Sequence, residues 1–508
     1  MSRTNNAIKA IASNIILQFT IAVCGFILPP LLIKNYGSEV NGLITTIRQL
    51  ITYFSVVTLG LSTAGAAALY GPLSKNDTTT INRTLSALKV FYNRTGIVFV
   101  FLITIAAFIF PMMQSAEGVA ATDVTLLVLI CGVGSSVEYI ITAKYKVLLT
   151  ANQKIYVLAR IQTEGTILNT ICSVVLVCLH ANILLIQTVA TVVYVLRMLM
   201  TVTYVKKVYS YVDLNVAPDF SLINNRWSAL SYQASSMIIS YTPIILVALL
   251  LNYASVSVFT VYNLVFSSIA MIVGIFSSGL AAVFGNVIAQ NENELLKKRF
   301  ATYEFVFELI LYIVYTCAMI LILPFVSVYI QSSDGTNYVV PLLGIGCALN
   351  GLFKSIRVPY TTLVEASGTF KENNIANILE AVCIVIVSIF GIKAIGVAGA
   401  VLGAAVIALI RSSMYQSFVC RNILSVQTLR YFAKNAINIV AMSVIYKCFE
   451  GITVSNYFEW IMNAIFVFAV TTVVYLVLNI TMDRKCAFDA ILYCKDFLFS
   501  KLVGKEGK

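Results

Sequence analysis

The sequence predicts an all-α polytopic membrane protein. It has about fourteen transmembrane helices, arranged as two six-helix lobes related by a parallel internal repeat, plus an extra helix pair. Three observations carry this. Of 508 residues, 59% are hydrophobic and only 11% charged, with mean hydropathy +0.90; soluble domains carry about a quarter charged residues. The basic residues collect in alternate loops. Four segments recur, in order, at nearly one offset.

A span needs about 20 apolar residues. On that basis the first six helices fall near 11–33, 42–70, 95–113, 122–146, 156–180 and 183–205. The next six fall near 228–251, 256–288, 304–330, 338–363, 374–391 and 394–418, and the extra pair near 432–449 and 457–481. The first run ends in Leu28-Pro29-Pro30 without a small-residue cleavage site, so it reads as a retained helix. The organisation expected is an N-lobe (1–205), a cytoplasmic linker (206–227), a C-lobe (228–421), the extra pair (422–482) and a basic tail (483–508).

Charge orients this map. With Arg3 and Lys9 in the cytoplasm, the same face receives Lys75, Arg83, Lys89 and Arg94, then Lys144, Lys146, Lys154 and Arg160. Lys206, Lys207 and Arg226, Lys297 to Arg299, Lys371, Arg421, Arg430 and Lys434 follow. The opposite loops carry little beyond Lys34, Lys393 and Lys447. This is the positive-inside pattern and places both termini in the cytoplasm of a plasma membrane. It also accounts for the net charge of +12 without nucleic acid, for which no soluble domain is available. The tail alternates basic residues with Phe488, Leu492, Phe497 and Phe499. It reads either as an amphipathic helix on the anionic leaflet or as a solvated end.

Several chemistries are unsupported. Eleven cysteines and one histidine, His180, form no CxxC pair or ligand cluster, so no metal is expected and the cysteines read as small apolar fillers. Loops are short and no G-x-x-x-x-G-K-[ST] occurs, so neither a catalytic domain nor a built-in ATPase nor a cofactor is expected.

The repeat pairs "GAAALYG" (65–71) with "GLAAVFG" (279–285), and "ATVVYVLRMLM" with "AAVIALIRSSM", so that Arg197 meets Arg411 at an offset of 214. Glu164 meets Glu380 and Pro111 meets Pro324 at offsets of 216 and 213. Six helices separate the partners, an even number, so both copies share one orientation. Two such lobes commonly enclose a cavity that opens alternately to each side.

The stretch "YGSEVNGLITTIRQLITYFSVVTLGLSTAGAAALYGPLSKND" and the segment "EASGTFKENNIANILEAV" (365–382) resemble the O-antigen and capsule (Wzx-type) flippases of the multidrug/oligosaccharidyl-lipid/polysaccharide exporter superfamily. The resemblance spans the chain. It implies flipping of undecaprenyl-diphosphate-linked oligosaccharides from the inner to the outer leaflet of a bacterial plasma membrane. The implied partners are that lipid-linked substrate, membrane lipids, and a polysaccharide polymerase and glycosyltransferases of the same pathway. The alternatives are an ion-coupled multidrug or small-molecule exporter on the same scaffold, or a lipid II-type flippase. A membrane-embedded glycosyltransferase or polymerase is disfavoured by the short outer loops. Drug exporters of the superfamily often use an acidic residue in helix one, which has none here.

Intramembrane ionisable residues are the site candidates. Arginine suits a diphosphate because it keeps its charge and presents a planar fork of donors. Arg48 lies about two turns into helix two; it is similar in placement to a cavity arginine of the related lipid II flippases, the alternative being snorkelling to the outer interface. Arg197 and Arg411 lie nine and ten residues before Lys206 and Arg421, so each reads as cavity-facing or as snorkelling inward. Lys354 and Arg357 precede Pro359 and either attract an anionic headgroup or are ordinary inner-loop charges. Glu138, Glu164 and Glu380 form an acidic set, for ion coupling or for pairing, Glu164 with Arg197 and Glu380 with Arg411. Glu304 and Glu308 are expected at the cytoplasmic interface. Asn14 and Gln18 share one face of helix one, and Thr242-Pro243 is expected to bend helix seven. Because Arg197 and Arg411 are repeat partners, they could equally serve the architecture. Arg48, with no arginine at its repeat position, is the stronger diphosphate candidate.

Overall fold

The computed structural model describes residues 3–490 and 492, apart from 59, 114–118, 224–225, 278–279, 291, 331–333 and 368–373. The expectations for Lys371, Gly279 and the tail beyond 492 lie outside the described residues. The elements in chain order are α1 (Arg3–Phe54), α2 (Leu61–Lys75), α3 (Thr78–Met113), α4 (Ala121–Val137), α5 (Ala143–Ala151), α6 (Ile155–Cys178), α7 (Ile183–Val208), α8 (Arg226–Leu250) and α9 (Tyr253–Ser277). The second half continues with α10 (Leu280–Ala289), α11 (Asn293–Tyr329), α12 (Pro341–Ile356), α13 (Val358–Ser367), α14 (Asn374–Ile395), α15 (Val397–Phe418), α16 (Thr428–Cys448) and α17 (Tyr457–Met482). Eleven described helices are long and apolar enough to cross a membrane. Among the described residues the regular structure is all helix, and the protein is multi-pass.

The helix bounds depart from expectation in ways that local chemistry explains. The first apolar helix runs on through Pro29 and Pro30 to a break at Gly37 (φ 86°, ψ 168°), a conformation open essentially to glycine alone. A new helix starts at once, and Asp334 seats its first turn: the Ser38 N–H donates to Asp334 Oδ2 at 2.6 Å. The second helix, expected to be continuous over 42–70, stops at Phe54. A 3₁₀ turn, Ser55–Thr58, and left-handed Gly60 separate it from α2; Val56, Val57 and Thr58 are β-branched and lower helix propensity there. The third and ninth helices begin much earlier than expected, at Thr78 and Asn293. In α3 the early turns are polar yet buried: Asn82 donates to the Tyr211 carbonyl (2.9 Å) and accepts from the Asp213 N–H (3.2 Å). Periodicity tuned to lipid-facing runs misses such turns. Pro243 sits inside α8, and the neighbouring Thr242 hydroxyl bonds that of Tyr53.

The described chain divides into two compact units. The first comprises 1–261, 330–337 and 377–385, and the second comprises 262–329, 338–376 and 386–508. Within the first, α2, α3, α5 and α7 build a core around Leu69, Leu85, Leu88, Tyr145, Leu148 and Val205. Within the second, α10, α11, α13 and α15 build its counterpart around Phe284, Leu296, Phe300, Tyr360, Leu363 and Tyr415. The internal repeat is therefore a repeat of packing: in each half, the same four parts of the motif bury one apolar cluster.

Candidate anion-binding cavity

A cavity of about 330 Å³ opens within the first unit. Its walls come from the second segment of α1 (Arg48, Thr52), α4 (Cys131, Ser135), α6 (Gly165, Asn169) and α7 (Gln187, Tyr194, Arg197). Asn182 caps α7 by accepting from the Leu184 N–H at 2.9 Å. From there the helical repeat turns Gln187, Tyr194 and Arg197 toward the same space. Arg48 donates to Gln187 Oε1 at 3.3 Å. Gln187 is itself buried, so the guanidinium is tied to the cavity wall. Asn169 Oδ1 is buried with no hydrogen-bond partner, an acceptor aimed at a space that a polar ligand could fill.

Arg197 is held on two sides. Its guanidinium lies over the Tyr194 ring, 4.5 Å from the centroid, an attractive cation–π geometry. Its stem fills the slot beside Gly165, where a Cβ would come within 2.0 Å of Arg197 Cδ. The Tyr194 hydroxyl donates to Glu138, which also pairs with Lys146. Glu138 stands at the first position of a π-helical turn, Glu138–Thr142, that follows α4; the extra residue in such a turn re-aims side chains. Tyr194 and Arg197 also wall a second cavity of about 270 Å³, lined by Asn14, Lys146 and Gln162 among others. Two polar chambers thus share a wall built from one arginine and one tyrosine. Arg48, Lys146 and Arg197 outnumber Glu138, so the local field is positive.

The other sequence candidates fall elsewhere. Glu164 does not pair with Arg197, as expected, but with Arg160 one turn earlier, at 2.8 Å on the exposed face of α6. The reason is register: Gly165, one residue on and rotated by about 100°, is the position that faces Arg197. The carboxylate close enough to act electrostatically on Arg197 is Glu138. Glu380 is buried in the first unit. Arg411 is buried in the second, its guanidinium 4.3 Å from the Tyr415 ring centroid. Lys354 and Arg357 are half-buried at the end of α12. Among the described residues, no group of three or more His, Cys, Asp or Glu side chains comes together as a metal site.

Glu304 and Glu308 are the clearest correction. Expected at an interface, they are 2% and 0% exposed. Both meet Lys434 of α16, whose Nζ lies 3.1 Å from Glu304 Oε2 and 2.9 Å from Glu308 Oε2. The Tyr360 hydroxyl donates to Glu304 Oε1 at 3.3 Å and accepts from Gln416 at 2.8 Å. Because α11 starts at Asn293 and α16 at Thr428, these residues lie inside their helices, not at the ends. The i,i+4 spacing of the two glutamates on one helix face was the available signal.

No family model matches the sequence, and a search of curated proteins returns no match either. Solved structures do match. A lipid II flippase MurJ in an inward closed conformation superposes with a TM-score of 0.67 at 14% identity, covering 95% of this chain and 99% of that one. The chain shares the fold of this group of membrane transporters. A superfamily transporter from Pyrococcus furiosus, described by the reverse polarity of its binding pocket, gives a TM-score of 0.57 at 13% identity over 80% of this chain and 93% of that one. An inward-facing multidrug resistance MATE transporter gives 0.56 at 14% identity over 81% and 96%. At such identities the likeness is one of architecture, and the chemistry must be read from this chain's own residues.

Proposed function

We propose that the protein flips undecaprenyl-diphosphate-linked oligosaccharides from the inner to the outer leaflet of a bacterial plasma membrane, by alternating access, for surface polysaccharide synthesis. The observation that carries this reading is the pair of arginines, Arg48 and Arg197, on the wall of one polar cavity inside an apolar bundle. Arginine stays charged at any accessible pH, and its fork suits phosphate oxygens. A cationic drug would meet repulsion there. Arg411, Lys354 and Arg357 are proposed as auxiliary cationic contacts in the C-lobe, and Glu138, Glu164 and Glu380 as ion-pairing or coupling residues.

The proposed topology has fourteen spans and both termini in the cytoplasm. The break at Gly37 divides the long first helix into two spans, while α12 with α13 and then α16 supply two more than the eleven apolar helices. The lobes are proposed at 1–205 and 228–421, with the linker 206–227, the extra pair 422–482 and the basic tail after 482. A polymerase and glycosyltransferases of the same pathway are the proposed partners.

A lipid II-type substrate is the second reading. It is favoured by the likeness to the lipid II flippase over 95% of this chain, against 81% for the MATE transporter. Both readings share a lipid diphosphate headgroup and differ in the glycan. Depleting the protein in cells should let lipid-linked repeat units accumulate on the cytoplasmic face, as leaflet-specific labelling of the intermediate would show. An unchanged leaflet distribution accompanied by altered drug efflux would rule the reading out.

A further inference from the structure

The Glu304–Glu308–Lys434 cluster has no part in the cavity described above. Two carboxyl groups share one ammonium, and the side chains are 3%, 0% and 8% exposed. An unbalanced charge is costly in such a place, so a group that can neutralise itself by binding a proton does so. Among the described residues, Lys434 is the one cation paired with these carboxyls. The titratable groups facing the cluster are Tyr312 on α11, Tyr360 on α13, Cys420 after α15, Tyr431 on α16 and Cys486 after α17, with Tyr475 of α17 behind Tyr312, ring centroids 5.8 Å apart. Phenols and thiols of this kind are uncharged at neutral pH. Arg430 is spent on Asp483 at 2.8 Å. Glu308 adds an independent sign: its Oε1 is buried and makes no hydrogen bond, and the Glu304 carboxyl, one turn away on α11, meets the same ammonium. A proton held between the two carboxyl groups gives that oxygen a partner and brings the cluster to neutrality.

We propose that Glu304 and Glu308 together form a buried binding site for one proton, locked by Lys434, and that this proton exchanges only when α16 parts from α11. Protonation is then linked to a conformational change. With the transport function proposed above, on which this last step rests, the cluster couples a proton gradient to transport. The proton belongs to the pair and not to either residue.

Charge parity gives a test on the full-length protein in lipid nanodiscs, by infrared spectroscopy of the protonated carboxyl C=O stretch at neutral pH. The wild type should show the band. Glu308→Gln and Glu304→Gln should each abolish it, because Lys434 then neutralises the single remaining carboxylate. Lys434→Met should strengthen it, since both carboxyls must then bind protons. Glu450→Gln, at an exposed pair with Lys447, should leave it unchanged. No such band in the wild type, or a band that survives both Glu308→Gln and Glu304→Gln, would overturn the proton site. For coupling, proteoliposomes carrying a fluorescent undecaprenyl-diphosphate oligosaccharide are given an imposed proton gradient. The gradient should accelerate wild-type transport several-fold and leave Glu308→Gln transport unaffected. Wild-type transport indifferent to the gradient would overturn the coupling role, while the proposed substrate would stand.

Discussion

Arg197 depends on a residue that contributes no side chain. Gly165 leaves the slot into which the arginine stem packs, and a methyl group there would collide with Arg197 Cδ at 2.0 Å. Gly165→Ala should therefore act as a displaced Arg197. Losing a charge-assisted hydrogen bond costs about 1.5–3 kcal/mol, or roughly a tenfold to hundredfold loss of substrate affinity. Gly165→Ala and Arg197→Ala should each raise KM by about that factor, and the double variant should be scarcely worse than either single one. Additive losses in that cycle would show that Gly165 serves packing alone. This dependence was not legible in the sequence, where the intramembrane arginines stood out but their partners did not. Gln187, Asn169 and Tyr194 are ordinary in type, and only their shared facing in space makes them a site. The Glu164–Arg197 pairing was expected from depth in the membrane alone. Depth does not report which face of a helix a residue occupies.

At the scale of elements, the junction at Gly37 is the sharpest local feature, and a carboxylate holds it. Asp334 accepts from the Ser38 N–H and from the Thr336 N–H, the latter at 3.1 Å. Partial burial works to raise the pKa of this carboxyl, but the backbone and side-chain donors of Ser38 and Thr336 together outweigh it and hold it below the usual carboxylate range. A carboxyl depressed on folding stabilises the protein above its unfolded value and loses that contribution as pH falls through the folded one. Asp334→Asn should thus lower the thermal midpoint at neutral pH, and the gap to the wild type should close in acid, below about pH 4. A gap independent of pH would mean that the Asp334 charge does not matter to the junction. The helices themselves were legible where they are uniformly apolar, as in α6, α7 and α17. They were misjudged where a helix opens with polar turns, buried against protein at the start of α3 and charged and exposed at the start of α11, as with Glu294 and Lys298. For the same reason Glu304 and Glu308 were assigned to an interface.

For the whole molecule, the repeat was readable in part through packing positions: of the segments that recur in sequence, 65–71 and 279–285 lend Leu69 and Phe284 to the two equivalent cores, while the Arg197 and Arg411 segments lie outside them. What could not be read was which charges each unit turns inward, since helix rotation follows from contacts between elements and leaves little trace in composition. Net charge and apolar content establish a polytopic membrane protein, and the likeness to known transporters is one of fold. The functional claim rests on Arg48 and Arg197 sharing one polar cavity. Its most direct test is leaflet-specific detection of a fluorescent undecaprenyl-diphosphate oligosaccharide in vesicles reconstituted with the purified protein. The account predicts translocation by the wild type, loss with Arg48→Ala or Arg197→Ala, and partial retention with Arg48→Lys. Undiminished translocation by both well-folded alanine variants would contradict it.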